Sequence, residues 1–422
     1  MKKYAAFAMG IILLVGALSG CSDNEKSELN YVNASDLATA STAEIPPIVF
    51  SENSAQTSVS TSEIESSTSD NSTIISSSTR LESSSSSSEN PTEIAVPTSS
   101  DYYTATAEIT EYNAEKVKSV FFGNAEVSEE ILNYPERKPI YIWKNGGKRL
   151  YVSNDYASIE YTSELSNFIN TVFRAPTQST KGNSDLFAHS GENLGFCTRD
   201  EAVKNVRKTL SELGISVSEN AEVYALRQGD LQAVVDEKCA EGKFCLYDFE
   251  GNEIPTTSYT VSQEQECYYI VFSAAWNSVP IYNDALYFKT IKDLAIFHPT
   301  ITAIFSADGL CELKVNEYRS INCGEKISQL ISPETAAQIV GEKYKDVVGI
   351  EKIEFDKMAL MYVLTPISEN GKINLNKTNL TLAWVCTVEM TEFKFDRKTN
   401  TQTAVVSRKD VFIDAQTGAE II

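Results

Sequence analysis

The predicted fold depends on two stretches, TRDEAVKNVRKTLSEL at residues 198–213 and SPETAAQIVGEKYKDV at residues 332–347. Thr198 followed by Glu201 forms a capping box, and Ser332 followed by Pro333 is a second helix start. Apolar residues recur at helical spacing behind each start, so each stretch predicts an amphipathic helix with one buried face. The two stretches align with each other. They are either an internal repeat or two capped helices that look alike for physical reasons.

The residues around these helices predict strands, together with further helices. Helices are also expected after Asn113, after Ser163 and at 230–239. The predicted strands are 139–143, 148–152, 221–226, 267–275, 301–305, 310–315, 352–364, 380–395 and 404–413. Glycine-containing turns join several of these strands into hairpins. The alternation predicts an α+β fold, with antiparallel sheets each packed by a capped amphipathic helix.

The last residues, VFIDAQTGAEII at 411–422, resemble the terminal strand–turn–strand of PepSY-type domains. The helix at Ser332 and the strand containing Trp384 fit the same domain. The preceding unit looks similar to membrane-anchored accessory regulators of cell-wall sensor kinases, although those proteins use a transmembrane helix as their anchor. The resemblance implies PepSY-like units in tandem and a role in restraining peptidases or sensing the envelope. Local chemistry also explains the motif without a ligand, because Asp414 can accept backbone N–H bonds and Gly418 can adopt a positive φ.

The first twenty residues, MKKYAAFAMGIILLVGALSG, predict an export signal. Two lysines precede an apolar core that is too short for a comfortable bilayer span. The signal ends on Leu18-Ser19-Gly20-Cys21, which resembles the lipobox of bacterial lipoproteins. There the cysteine is acylated, for example with palmitate, and becomes the mature N-terminus. We therefore expect a lipid anchor on Cys21 and a position on the extracytoplasmic face of the cell membrane. The alternative is an ordinary signal peptide with a chance cysteine.

A serine-rich segment follows at residues 21–100 and is expected to be a disordered tether. It is either a spacer that lifts the domain off the membrane or filler with no further role. The remainder is predicted to comprise an N-terminal α+β segment at 101–197 and PepSY-like units at 198–325 and 326–422.

Composition excludes several classes of function. The net charge of −22 argues against nucleic-acid binding, which needs a basic face. The chain has two histidines, His189 and His298, and neither lies in a catalytic signature, so surface or capping roles are expected. Asp200, Glu201 and Glu334 lie at helix starts, where the helix dipole favours negative charge. No catalytic motif, cofactor or metal site is predicted, and a wall hydrolase rests on no motif.

Seven cysteines follow Cys21. Because an exported chain can form disulfides, Cys239 with Cys245 and Cys311 with Cys323 are candidate pairs. Cys267 and Cys386 lie on apolar strands and are expected to be small buried hydrophobic residues.

The predicted strand at 267–275 and its flank carry four aromatic residues that are candidates for a sugar or peptide groove: Tyr268, Tyr269, Phe272 and Trp276. Core packing is the alternative for these residues. Taken together, the sequence predicts a non-catalytic cell-surface lipoprotein with a binding or regulatory role through envelope protein or peptide contacts. The alternative function is binding of a solute or glycan.

Overall fold

The computed structural model describes residues 93–97, 101–175, 183, 187, 192–247, 252–283, 298–345, 347, 350–369, 372–396 and 401–421. The signal, Cys21, His189 and almost all of the tether lie outside these residues. All described residues belong to one compact unit, Glu82–Ile422.

Five α-helices lie in the described part, and each one was expected from the sequence. They are α1 (Ala114–Phe122), α2 (Glu164–Val172), α3 (Arg199–Glu212), α4 (Gln228–Ala240) and α5 (Pro333–Lys345). The predicted capping box is present at the start of α3, where Thr198 and Glu201 bond each other's backbone N–H. Ser332 Oγ likewise accepts the N–H of Thr335 at the start of α5. Each such cap stabilises a helix by about 1 kcal/mol.

Seven strands form the first sheet, in which β1 (Glu93–Ala95), β15 (Ile350–Glu369), β16 (Lys372–Asp396), β17 (Thr401–Asp414) and β18 (Glu420–Ile421) follow one another. β2 (Tyr103–Ile109) pairs with β16 and with β14 (Arg319–Lys326). α5 packs on β15 and β16. Its buried face comprises Ala336, Ala337, Val340 and Tyr344.

Nine strands form the second sheet. Their order is β11 (Val279–Pro280), β10 (Cys267–Trp276), β12 (Thr300–Ser306), β13 (Gly309–Asn316), β6 (Ser158–Ser163), β5 (Lys148–Ser153), β4 (Ile140–Asn145) and β3 (Ser128–Leu132). β7 (Val217–Leu226) pairs with β10 on its other side. α3 packs against β7, β10 and β12. A small separate sheet consists of β8 (Cys245–Tyr247) and β9 (Glu253–Pro255).

One hydrophobic core extends through both large sheets. It includes Trp143, Leu150, Tyr268, Phe272 and Leu360, each exposed by 1% or less, and it also receives the buried faces of α3 and α5. A second cluster lies between α2, α4 and neighbouring strands, with Ile169, Val172 and Leu231 at its centre. Burial of this apolar surface is the main driving force for folding.

The predicted fold class is wrong. The chain is mostly β-sheet, with two large sheets in place of small PepSY-like α+β units. The physical reason is long-range strand pairing: β6 extends the sheet that contains β12 and β13, and β2 bridges β14 and β16. The helices were expected at the right places, but each covers only part of a much larger sheet. The proposed division at residues 197 and 325 stays a prediction.

The terminal turn behaves as local chemistry predicts. Asp414 Oδ1 accepts the N–H groups of Gln416 at 2.9 Å and Thr417 at 2.8 Å. Gly418 has a φ of +73°, and a Cβ there would come within 3.1 Å of Ile339 Cδ1. The turn returns the chain to β18, so its residues serve the hairpin.

Candidate binding surface

The four aromatic residues expected to line a groove lie on β10. Tyr268 and Phe272 are fully buried and belong to the core. The Tyr268 hydroxyl accepts the Leu194 N–H at 2.6 Å and donates to the Cys197 carbonyl at 2.9 Å. These two side chains are therefore not available to a ligand.

The other two aromatic residues of this set are half-buried and occupied by aromatic neighbours. Tyr269 packs on Phe173 with ring centroids 4.9 Å apart, and Trp276 packs on Tyr362 at 5.3 Å. Burial also raises the pKa of the Tyr269 hydroxyl. The structure thus uses this strand for packing, which was the alternative considered for it.

All seven cysteines between Cys197 and Cys386 are free thiols, so neither candidate disulfide is present. Cys311 is buried on β13 of the nine-stranded sheet, whereas Cys323 is exposed on β14 of the other sheet. Cys239 lies in the last turn of α4, and the thiol of Cys245 is directed to the carbonyl of Leu246 at 3.4 Å. Cys267 and Cys386 are fully buried, as expected for small hydrophobic residues.

His298 does not have the surface or capping role expected for it. The side chain is 1% exposed, and its Nε2 accepts the N–H of Leu364 at 3.0 Å. Burial, with the positive charge of Arg319 as a second cause, lowers the pKa of His298 to about 3. The imidazole is therefore neutral at physiological pH and acts as a structural acceptor for β15.

A long stretch of unpaired strand edge lies along β17 in the described part of the chain. Residues Thr401–Asp414 pair with β16 on one side over their whole length. On the other side, β18 pairs only with Phe412 and Ile413. Within the described residues, no strand covers the remaining edge from Thr401 to Val411. An uncovered edge presents a row of N–H and C=O groups that can pair with another extended chain.

Two exposed apolar side chains lie beside this edge. Val406 is 63% exposed and Phe393 of β16 is 41% exposed. Phe393 pairs with Ala404 and Thr391 pairs with Val406, so Phe393 and Val406 are diagonal neighbours on one face of the sheet. That face is opposite the one where Met390 and Val388 enter the core. The edge thus combines unpaired backbone with an apolar contact for a side chain.

The far end of the edge is held firmly. Asp410 accepts the hydroxyl of Thr387 at 2.5 Å and the hydroxyl of Tyr282 at 2.9 Å. Lys409 Nζ donates to the Tyr344 hydroxyl at 3.2 Å, and Arg408 pairs with Asp356. These contacts fix the position of β17 before any partner arrives, which reduces the entropy cost of binding.

Charge distinguishes this edge from the edges of the other sheet. β17 carries Arg408 and Lys409 together with Asp410 and Asp414, so its own charges balance in a chain of net charge −22. The end strands of the nine-stranded sheet are acidic, with Glu129 and Glu130 on β3 and Glu219 and Glu222 on β7. A neutral or acidic extended segment therefore fits β17 better than the other two edges.

The sequence predicted a strand at 404–413, but it did not show that most of one edge of this strand is uncovered. The exposed pair was missed because alternation of apolar and polar residues identifies a strand without saying which neighbours cover its faces. The sequence offered one signal, the adjacent valines Val405 and Val406, because neighbouring residues of a strand point to opposite faces of the sheet.

Comparison with known proteins gives a likeness of fold alone. No protein-family model matches the chain, and no curated protein matches it significantly. A solved structure of an uncharacterised protein from Eubacterium rectale is similar, with a TM-score of 0.58 and 17% sequence identity. The match covers 78% of this chain and 89% of that protein. The overall arrangement of sheets thus occurs in a second, distantly similar chain.

No helix in the described part of the chain is long and apolar enough to cross a bilayer. Likewise, the described side chains include no group of three or more His, Cys, Asp or Glu residues that could hold a metal ion.

Proposed function

We propose that this chain is a non-catalytic lipoprotein of the bacterial cell surface that binds a protein or peptide partner. The partner adds as an extended strand to the free edge of β17, with its backbone paired to Thr401–Val411. The observation that carries the proposal is this long uncovered edge, with Val406 and Phe393 exposed beside it. Strand addition is a general mode of peptide recognition in which backbone bonds supply affinity and neighbouring side chains supply specificity.

The membrane position of the proposal rests on residues 1–21. A lipid on Cys21 and about 75 residues of coil would place the domain on the order of 45 Å from the membrane on average. Fully extended, the same segment would reach roughly 250 Å. A binding domain on such a tether can search a large part of the envelope for its partner.

A photo-crosslinking amino acid in place of Val406 tests the site of binding. The full chain carrying it is expressed in its native envelope and irradiated. The matched control carries the same amino acid at Tyr247, which is 52% exposed on the small β8–β9 sheet. We expect one discrete crosslinked protein from position 406 and none from position 247. Identical products from both positions would contradict binding at β17.

A second variant separates specific binding from chance proximity. Val406→Glu adds a charge at an exposed position and leaves the core untouched, so the chain should fold normally. The measurement is affinity capture, without crosslinking, of the partner that position 406 identified. Val406→Glu should weaken this capture by about tenfold, because a carboxylate would replace the apolar contact next to the added strand. Unchanged capture would show that the partner does not use this edge.

The anchor has its own test. Cells given labelled palmitate should incorporate the label into the wild-type chain and not into Cys21→Ser, which should leave the membrane fraction. Continued labelling of the variant would refute anchoring at Cys21, while the β17 proposal would stand or fall on crosslinking.

A further inference from the structure

The structure contains a polar cleft of about 370 Å³, and none of the residues that line it belongs to β17. It is formed by the end of β2, the turn between β5 and β6, and the segment of β16 at 374–377. Its lining residues are Glu108, Ile109, Glu111, Lys138, Asn154, Asp155, Asn374, Asn376 and Lys377. Both large sheets therefore contribute walls to the same cleft. Its volume lies at the lower end of the range for small-molecule sites.

The charges of the cleft largely neutralise one another. Lys138 Nζ donates to Glu111 Oε1 at 2.5 Å, and Lys377 Nζ lies 3.2 Å from Glu108 Oε1. The remaining carboxylate, Asp155, accepts the backbone N–H of Lys138 through Oδ1 at 3.2 Å. The lining thus carries two ammonium groups against three carboxylates. An anionic ligand would meet net repulsion, and the described side chains include no group that could hold a metal ion.

The amide side chains fix the walls of the cleft. Asn154 Oδ1 accepts the N–H of Tyr112 at 2.7 Å, and its Nδ2 donates to the carbonyl of Tyr112 at 3.1 Å. Asn374 Oδ1 accepts the backbone N–H groups of Asn376 at 3.0 Å and Lys377 at 3.1 Å. These bonds hold both sides in place without a ligand. Such preorganisation lowers the entropy cost of binding.

Other polar groups of the cleft remain available. The side chain of Asn376 is exposed and makes no hydrogen bond within the described residues. The Oδ2 atom of Asp155 likewise makes no hydrogen bond to a described residue. Carboxylate oxygens, amide groups and ammonium groups therefore stand close together in fixed positions. Ile109 supplies an apolar contact among them.

We infer that this cleft binds a short neutral saccharide. A sugar hydroxyl both donates and accepts hydrogen bonds, so a polyol can satisfy carboxylates, amides and ammonium groups that lie side by side. A neutral ligand also leaves the Lys138–Glu111 and Lys377–Glu108 pairs intact, whereas a charged ligand would compete with them.

Saturation-transfer NMR of the full chain with three neutral trisaccharides, maltotriose, cellotriose and N,N′,N″-triacetylchitotriose, tests this inference. We expect transfer to at least one trisaccharide at millimolar concentration. Asn376→Ala should weaken that binding about three- to tenfold, the effect of one lost neutral hydrogen bond. Asn220→Ala, an exposed asparagine on β7 away from the cleft, is the matched control and should bind like the wild type.

A second variant guards against an accidental loss of folding. Asp155→Asn keeps an oxygen acceptor for the Lys138 N–H but removes the carboxylate, and it should also weaken binding. Near-ultraviolet circular dichroism checks that each variant is folded. Absence of binding by all three sugars, equal binding by Asn376→Ala and Asn220→Ala, or binding only of a lysine-containing peptide used as a cationic probe would overturn the inference.

Discussion

The buried histidine gives the sharpest prediction about stability. In the unfolded chain His298 titrates near its ordinary pKa of 6.5, and burial lowers the folded-state pKa to about 3. Protonation in the folded state would also place a proton on Nε2, the atom that accepts the Leu364 N–H. Between these two pKa values the unfolded chain binds a proton that the folded chain excludes. The contribution of His298 is therefore complete above pH 6.5 and is lost as the pH falls.

The magnitude follows from the pKa difference. Each pH unit between 6.5 and about 3 should lower the free energy of unfolding by about 1.4 kcal/mol, which amounts to about 5 kcal/mol in all. Glu317 acts in the opposite direction. Burial raises its pKa from 4.5 to about 6, with Arg319 opposing, so falling pH stabilises the folded chain between those values. The two effects nearly cancel between pH 4.5 and about 6. The pH dependence of the unfolding free energy of the wild type alone would therefore reveal neither of them.

The comparison of wild type with His298→Gln isolates the histidine. Glutamine offers an oxygen acceptor to the Leu364 N–H but does not titrate. Urea unfolding followed by tryptophan fluorescence, repeated from about pH 7 to about pH 4, gives the free energy of unfolding of each protein. The difference between the two should change by about 1.4 kcal/mol per pH unit below pH 6.5. Parallel curves would refute the assignment of a neutral buried imidazole.

Three further predictions concern local structure. Asp414→Ala should lower the free energy of unfolding by about 1 kcal/mol in urea denaturation, because it removes the acceptor of two backbone N–H groups, whereas Asp414→Asn should retain most of it. Thr198→Ala should lower it by a similar amount through loss of the α3 cap, and an unchanged midpoint would contradict that role. A thiol-reactive dye should count all seven cysteines from Cys197 to Cys386 in urea without reductant, and a lower count would reveal a disulfide.

Local elements were predictable because their causes lie within a few residues. The caps Asn113, Thr198 and Ser332 and the apolar spacing behind them placed three helices correctly. The glycines at 146 and 309 marked hairpins, and both have positive φ. Helix caps, the spacing of apolar residues and hairpin turns each depend on residues that are close together in the chain. A single sequence is therefore enough to find them.

The assembly of the sheets was not predictable in the same way. β2 pairs with β14 across more than 200 residues, and β6 joins β13 across about 150. Nothing in 103–109 or 158–163 marks these distant partners, because strand pairing is set by packing of whole faces. The prediction of PepSY-like units was wrong for this reason. The short motifs correctly predicted the local helices and the terminal turn, but the sheets extend beyond the predicted units.

The binding surfaces depend on the same long-range information. Val406 and Phe393 read as ordinary strand residues, and only the register of β16 with β17 shows them to be neighbours beside a free edge. The cleft residues Asp155 and Asn376 lie more than 200 residues apart in the chain. A sequence pattern cannot place them together, and their polar character alone indicates a loop.

Hydrogen–deuterium exchange of the β17 amides tests the central proposal most directly. The full chain is measured alone and with the partner captured through position 406. Alone, the outward-facing amides between Thr401 and Val411 should exchange rapidly, since no described strand covers them. With the partner bound, these amides should become protected, as in a paired strand. Unchanged exchange along β17, with protection appearing elsewhere in the chain, would contradict strand addition at this edge.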